Sequence, residues 1–227
     1  MQVKGSHSPS SFWSASTFLM MGLVVCFAIQ QIVIVYHEKP YDAYLALSGY
    51  GMKSGHLWEL FTYQFFHSGP VHLLINLVGL WFLGRPVEAC LGSRRFLLLY
   101  LGASLTGALL QGTVALAGFL LPESLESVAA FLRDRFGGPV VGSSVGLCGV
   151  FAVFCRLNRE KRIRLFFLLP IRPEPLWWVA LGIAVLFLII PSDPYLAHLA
   201  HLGGLLAGMA FIKLGKLSHG PREVEAR

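Results

Sequence analysis

Apolar residues fill six long stretches of this chain, and the shorter stretches between them carry most of the charges. The six runs cover about residues 17–36, 70–84, 96–121, 140–155, 175–190 and 195–214. An α-helix rises about 1.5 Å per residue, so runs of this kind are suited to crossing a hydrocarbon core about 30 Å thick. The pattern predicts an all-α membrane protein, a bundle of six transmembrane helices.

Two of the connecting segments have patterns of their own. Residues 37–69 are dense in aromatic side chains but too interrupted to span, so we expect this segment to lie at the membrane interface and dip into lipid. Residues 122–139 have apolar side chains at helical spacing with charges between them, which predicts a short surface helix. Those apolar residues are Leu125, Val128, Ala129, Leu132 and Phe136.

The composition agrees with this interpretation and the charges add an orientation. The chain is 55% hydrophobic and 13% charged, which excludes a water-soluble domain with a polar shell. Its net charge of +6 suggests nucleic acid, but the placement of the charges argues against it. With a cytoplasmic N-terminus, only Lys39, Lys53, Arg133 and Arg135 of the 18 Lys and Arg fall outside. This bias predicts that both termini are cytoplasmic, and we expect a bacterial inner membrane.

The chain divides into one membrane domain and two tails. We expect a flexible cytoplasmic tail over residues 1–16, a six-span domain over 17–214 and a cytoplasmic tail over 215–227. The first apolar run is longer than a signal-peptide core and lacks a clear cleavage site, so we interpret it as an uncleaved span. The four cysteines have no paired spacing, so neither a disulfide framework nor a zinc site is predicted.

Polar side chains interrupt three of the runs at a similar depth. Ser144 lies 12 residues before Arg156, and His201 lies 12 residues before Lys213. Arg156 and Lys213 mark the cytoplasmic ends of these runs, so Ser144 and His201 both lie about 18 Å from that end. The second run adds His72 at about 20 Å and, one helical turn deeper, Asn76.

Polar groups at this depth are costly when they face lipid, so the four side chains should face one another or a water-filled cavity. Glycines within the fourth and sixth runs would let two backbones approach closely enough for a serine–histidine hydrogen bond. They are Gly142, Gly146 and Gly149 around Ser144, and Gly204 and Gly208 after His201.

This set of side chains permits a serine–histidine dyad. No Asp or Glu lies in the outer half of any run, so a triad with a buried carboxylate is not predicted. His201 would take the hydroxyl proton of Ser144. His72, Asn76 and the Ser144 backbone N–H would donate hydrogen bonds to a developing oxyanion.

Neighbouring residues offer competing interpretations. Ser143 is a second hydroxyl, but the Gly-x-Ser spacing selects Ser144. The alternative for both serines is a structural role, in which they bond to helical carbonyl oxygens or help the helices to pack. His198 lies one helical turn from His201, so the two could bind a metal ion together, but the polar side chains at this depth provide few further ligands. We therefore expect His198 to contact a loop near the outer surface. Glu88 lies near three arginines, which favours an ion pair at the turn after the second run.

Three motifs resemble the rhomboid family of intramembrane serine proteases. They are His-x-x-x-Asn within His72–Tyr100, Gly-x-Ser within Gly142–Gly149 and His-x-x-Gly-x-x-x-Gly within Ala200–Gly208. They fall in the family's order on the second, fourth and sixth runs, and the likeness covers about residues 55–214. The resemblance implies a rhomboid-like bundle whose first loop, residues 37–69, dips into the membrane.

The resemblance also implies roles for the polar layer. Ser144 corresponds to the nucleophile, His201 to its base, and His72 and Asn76 to oxyanion donors. The family cleaves transmembrane segments of membrane proteins without a cofactor, after the substrate helix unwinds beside the second and fifth spans. The loop before the sixth span would cap the water-filled cavity.

Two positions depart from the pattern of many members. Val145 stands where a glycine often follows the serine, and its branched side chain puts the shape of the oxyanion region in question. Trp58 is followed by Glu59 where an arginine is common, which puts the packing of the first loop in question.

We therefore predict a serine endopeptidase that acts on membrane-protein substrates within the lipid bilayer, needs no cofactor or metal, and does not bind nucleic acid. One alternative is a catalytically silent rhomboid-like protein that binds or escorts membrane clients. Another is a small transporter or proton path that uses His72, His198 and His201 in a polar cavity. A transporter normally shows inverted repeats, and none is visible in the sequence.

Overall fold

The fold is a helical bundle with a short β-hairpin. The computed structural model describes residues 14–37, 42–165, 169–190 and 197–215. Its α-helices are α1 (Ala15–His37), α2 (Asp42–Leu45), α3 (Gly49–Lys53), α4 (Glu59–Thr62), α5 (Pro70–Gly79), α6 (Arg85–Leu91), α7 (Ser93–Leu120), α8 (Glu126–Phe136), α9 (Ser144–Leu157), α10 (Pro173–Ile189) and α11 (His198–Leu214). Short 3-10 helices cover Tyr63–Phe65 and Glu123–Leu125, and a π-helical stretch, Leu80–Gly84, joins α5 to α6. The all-α membrane class predicted from the sequence is confirmed.

Each of the six predicted runs corresponds to a helical segment, although the segments differ in length. Three are long and apolar enough to cross a membrane: Ala15–Val35, Pro70–Leu91 and Ser93–Leu120. The other three, α9, α10 and α11, are apolar helices of 14, 17 and 17 residues. The count of six crossings therefore stays a prediction.

The hairpin between α9 and α10 had no counterpart in the sequence analysis. Strands β1 (Ile163–Leu165) and β2 (Leu169–Ile171) are antiparallel and pair Ile163 with Ile171. Strands of three residues are too short to give a recognisable alternation, and this explains why the pattern did not indicate them.

Helix α7 contacts several other helices along its buried face. It packs against α9 and α11 on one side and against α3 and α8 on others. Small residues on its buried face allow this: a Cβ added at Gly203 of α11 would lie 2.7 Å from the Cα of Gly107. Backbones in such close contact are typical of membrane helices, where small side chains permit tight packing.

The predicted surface helix is confirmed as α8. Its Ala129 is fully buried, whereas Val128 and Phe131 are exposed. Arg135, near its end, donates hydrogen bonds to the carbonyl oxygens of Phe187 and Ile190 at the end of α10. These bonds connect α8 to a helix that is distant in the sequence.

The first loop is a compact set of short helices that supports the segment before α9. Leu47 and Val140 exchange two backbone hydrogen bonds of 3.0 and 2.8 Å. On another surface the loop exposes large aromatic side chains, including Tyr50, Trp58 and Phe61. Such exposure suits a loop that dips into the membrane.

Glu88 corrects one expectation. Its carboxylate forms no ion pair among the described residues; it accepts hydrogen bonds from the backbone N–H groups of Ala15 (2.7 Å) and Ser16 (2.9 Å) and from the Ser93 hydroxyl (2.6 Å). The first N–H groups of a helix lack partners within the helix and carry partial positive charge, so a carboxylate satisfies them well. Glu88 therefore anchors the start of α1 beside α6.

The predicted tails, residues 1–16 and 215–227, lie largely outside the described residues. So does the loop before the sixth run, which was expected to cap a cavity. The domain boundaries and that role stay predictions.

Candidate active site

A serine and a histidine meet where α9 begins. Ser144 is the first residue of α9, and His201 lies one turn into α11. The Ser144 Oγ and the His201 Nε2 are 2.7 Å apart, within hydrogen-bonding distance. Both side chains are partly exposed. The structure thus brings together two side chains that are 57 residues apart in the sequence.

Glycines allow the two helices to approach at this point. A Cβ added at Gly204 of α11 would lie 2.3 Å from the carbonyl oxygen of Val145, and one at Gly208 would lie 2.4 Å from that of Gly149. No other residue type fits at such distances without moving a helix. Of the glycines predicted to permit this approach, Gly149, Gly204 and Gly208 lie at the contact, whereas Gly146 faces α7 and Gly142 faces His72.

The chain enters α9 through a sharply defined turn. Gly142 has a φ of +119°, a region that favours glycine, and its N–H donates to the carbonyl oxygen of Tyr63 over 3.0 Å. Ser143 then takes the N-cap position of α9. The first N–H groups of a helix have no partner inside it, so the N–H of Ser144 is positioned to bind an anion.

His72 of α5 packs against this turn. A Cβ added at Gly142 would lie 2.6 Å from the His72 Cε1 and 2.7 Å from its Nε2, so the ring occupies the space that a side chain would take. The Nδ1 of His72 lies 3.0 Å from the Ser68 hydroxyl. If that hydroxyl donates, the ring proton is on Nε2, the nitrogen that faces Gly142.

Asn76 is the member of the predicted layer with the least direct link to Ser144. It is 1% exposed, and its Nδ2 donates to the carbonyl oxygen of His72 over 2.9 Å. Among the described residues it forms no hydrogen bond with Ser144 or His201. The amide carries two N–H donors, so one remains after the bond to His72.

The competing residues lie in different surroundings. Ser143 is fully buried, and the hydrogen bond to His201 is made by Ser144. The His198 ring stacks on Phe187 of α10, with centroids 4.7 Å apart. Within the ranges that the structure describes, no three His, Cys, Asp or Glu side chains are grouped to hold a metal ion.

Val145 does not fill the space around the serine hydroxyl. It is 1% exposed and its Cγ1 packs between Gly107 of α7 and Gly204 of α11. The branched side chain therefore occupies the crevice between two helices, where the glycines make room for it.

Glu59 has a buried network of its own in the first loop. Its carboxylate accepts hydrogen bonds from the Ser48 N–H (3.0 Å), the Ser48 hydroxyl (3.2 Å) and the His56 Nδ1 (3.1 Å). Burial raises the pKa of the Glu59 carboxyl, although these hydrogen bonds oppose that effect. The acidic residue is thus accommodated by the loop.

Tyr63 is a supporting residue that the sequence analysis missed. It is fully buried, its hydroxyl donates to the carbonyl oxygen of Ser104 over 2.8 Å, and its own carbonyl oxygen accepts from Gly142. It therefore connects α7 to the turn before Ser144. Its partners are distant in the sequence, so no local pattern indicated it.

Comparison with known proteins matches most of this structure to one family. A profile of the Rhomboid domain matches residues 54–216, a range that contains Ser144, His201, His72 and Asn76. The chain is also 27% identical over 165 residues to RHOMBOID-like protein 12, mitochondrial, of Arabidopsis thaliana. That match covers 72% of this chain and 48% of the relative, so the chain spans about half of the relative's length.

Proposed function

Because the chain belongs to the rhomboid family, we propose that this integral membrane protein is a serine endopeptidase that cleaves transmembrane or juxtamembrane segments of other membrane proteins. The hydrogen bond of 2.7 Å between the Ser144 Oγ and the His201 Nε2 carries the proposal. A nucleophile and base within this distance are what acyl transfer requires.

The first half of the reaction transfers the substrate's acyl group to the serine. His201 Nε2 takes the proton of Ser144 as the Oγ attacks the carbonyl carbon of the scissile bond. The resulting imidazolium gives that proton to the leaving amine when the C–N bond breaks. The described residues place no carboxylate in hydrogen-bonding contact with His201, so a dyad carries out this exchange.

Three donors would stabilise the developing oxyanion. The N–H of Ser144, in the first turn of α9, has no partner within the helix, and His72 Nε2 lies beside Gly142. Asn76 would join them through its second amide hydrogen. Removing one such donor typically lowers the rate by about 10² to 10³-fold.

Hydrolysis of the acyl-enzyme completes the cycle and needs no cofactor. His201, again neutral, takes a proton from a water molecule that attacks the ester carbonyl of acylated Ser144. The tetrahedral intermediate then collapses and the proton returns to the Ser144 Oγ.

Labelling with a fluorophosphonate probe tests the proposal directly. We expect the wild type in native membranes to be labelled and both Ser144→Ala and His201→Ala to lose labelling. Ser143→Ala is the matched control, because it removes the adjacent buried hydroxyl, and it should keep most of the signal. Labelling that persists in Ser144→Ala would refute the mechanism. Folded wild type that is never labelled would instead favour the silent escort protein.

The orientation is part of the same proposal. Most of the Lys and Arg fall on one side of the six predicted spans, so we infer cytoplasmic termini, and an inner membrane for a bacterial source. A reporter that is active only in the cytoplasm should be active when it is fused after residue 227. Activity of a periplasmic reporter fused at the same position would contradict this orientation.

A further inference from the structure

A cavity of about 480 Å³ lies at the end of the bundle opposite to Ser144. It is formed by the last turns of α9 and α11 and the first turns of α10. Arg156 marks its position on α9, and 12 residues of helix, about 18 Å, separate it from Ser144. The cavity is therefore distinct from the candidate active site.

The walls of this cavity are largely apolar. They include Trp177, Leu181 and Met209, with the more exposed Trp178 at the edge. The volume falls within the range of about 300 to 1,000 Å³ that is usual for small-molecule sites. A wall of this kind accommodates a hydrocarbon chain better than a hydrated ion.

Its rim is positively charged. Arg156, Arg159 and Lys213 line it, against one carboxylate, Glu174. Arg159 is paired with Glu160, with the Nη2 and Oε1 atoms 2.9 Å apart. Arg156 and Lys213 form no ion pair with any residue that the structure describes.

The surroundings reinforce this positive charge. The turn after α9 and the end of the hairpin add exposed basic side chains, which are Lys161, Arg162 and Arg172. These charges lie where the apolar helices end, the depth at which phospholipid headgroups lie.

We propose that the cavity binds one anionic phospholipid. Its phosphate would lie between Arg156 and Lys213, and an acyl chain would run along Trp177 and Leu181. An apolar wall with a basic rim is complementary to a molecule that has both parts, whereas a free phosphate would use only the rim. The charge balance of the rim disfavours a zwitterionic lipid.

A lipid in this position would connect three helices. Among the described elements, α10 packs mainly on α9 and α11, and residues of all three helices line the cavity. The ligand would contact α10 through Trp177 and the other two helices through Arg156 and Lys213. This inference depends on membrane location only, so it stands apart from the proposed protease chemistry.

Native mass spectrometry of the full-length protein in a neutral detergent tests the inference. Phosphatidylglycerol, phosphatidylcholine and inorganic phosphate are titrated separately, and bound adducts are counted. A basic residue near an anionic lipid contributes roughly a fivefold factor. We therefore expect Arg156→Gln combined with Lys213→Gln to weaken phosphatidylglycerol binding at least about tenfold.

The matched control carries the same charge change outside the cavity. Lys161→Gln combined with Arg162→Gln should weaken binding by no more than about threefold. Leu181→Trp fills the cavity without changing its charge and should also reduce phosphatidylglycerol binding. This variant provides the test if the Arg156→Gln and Lys213→Gln double variant does not fold. Equal weakening by the two charge variants, equal binding of phosphatidylcholine, or binding of inorganic phosphate alone would each overturn the inference.

Discussion

At the scale of single residues, Gly142 sets the shape of the candidate site. Its φ of +119° and the His72 ring 2.6 Å from the place of a Cβ leave room only for hydrogen. Gly142→Ala should therefore displace His72 and strain the backbone by roughly 1 to 3 kcal/mol. We expect the rate of fluorophosphonate labelling of Ser144 to fall about tenfold or more.

Gly55→Ala is the control for the backbone effect alone. Gly55 also has a positive φ, +81°, but no atom within 4 Å of the added Cβ. This variant should lose some stability, measured by unfolding in sodium dodecyl sulfate, and label at the wild-type rate. Equal labelling rates in the two variants would show that the contact with His72 has no influence on the serine.

Residue types and spacing were sufficient to predict that Ser144 and His201 would meet, but not the bonds of the residues around them. Counting along helices placed Ser144 and His201 at one depth, and they are hydrogen-bonded. The bond from Asn76 to a backbone carbonyl and the capping of α1 by Glu88 were not foreseen. Both depend on local side-chain choices or on partners up to 73 residues away, which no periodicity encodes.

At the scale of elements, the crossing of α9 and α11 holds the serine and the histidine together. A Cβ at Gly204 would lie 2.3 Å from the Val145 carbonyl oxygen, so Gly204→Ala must push the helices apart. Overpacking of this kind costs about 1 to 3 kcal/mol. Because hydrogen bonds weaken rapidly as they lengthen, labelling of Ser144 should fall together with the stability.

Gly182→Ala is the matched substitution on α10. Nothing lies within 4 Å of a Cβ at Gly182, so alanine should be neutral or stabilise the helix by up to about 1 kcal/mol. Unfolding in detergent and labelling are measured for both variants. If Gly204→Ala behaves like Gly182→Ala in both measurements, neither the stability of the protein nor the labelling of Ser144 requires the close approach of α9 and α11.

Elements with a strong period were predictable and short ones were not. The apolar runs and the spacing in residues 122–139 indicated the long helices and α8. The hairpin and the π-helical stretch Leu80–Gly84 carry no distinct signal, because a few apolar residues suit either a helix or a strand. The packing around them decides their conformation.

At the scale of the whole molecule, His67 connects the first loop to two helices. Its carbonyl oxygen accepts from the Gln30 Nε2 of α1 over 2.7 Å, and its N–H donates to the Gln30 Oε1 over 3.1 Å. Its ring lies edge-on to the ring of His72, with centroids 5.1 Å apart. The loop, α1 and the start of α5 therefore share one buried junction.

This junction should make the stability of the protein depend on pH. Burial, and to a smaller extent the nearby His72, lowers the pKa of His67 from 6.5 to about 4. Between these values the unfolded chain binds a proton that the folded one does not. The stabilisation is complete above about pH 6.5 and decreases toward pH 4, at up to about 1.4 kcal/mol per pH unit.

His67 should therefore make the free energy of unfolding of the wild type in sodium dodecyl sulfate micelles up to about 2 kcal/mol lower at about pH 5 than at about pH 7.5. Other groups titrate in the same range, so the measurement is the difference between the wild type and His67→Gln, which cannot bind the proton. We expect the variant to be less stable at neutral pH, since it loses part of the packing, but to lose less on acidification. The same pH dependence in both proteins would mean that folding does not lower the pKa of His67, and therefore that water reaches the ring in the folded protein.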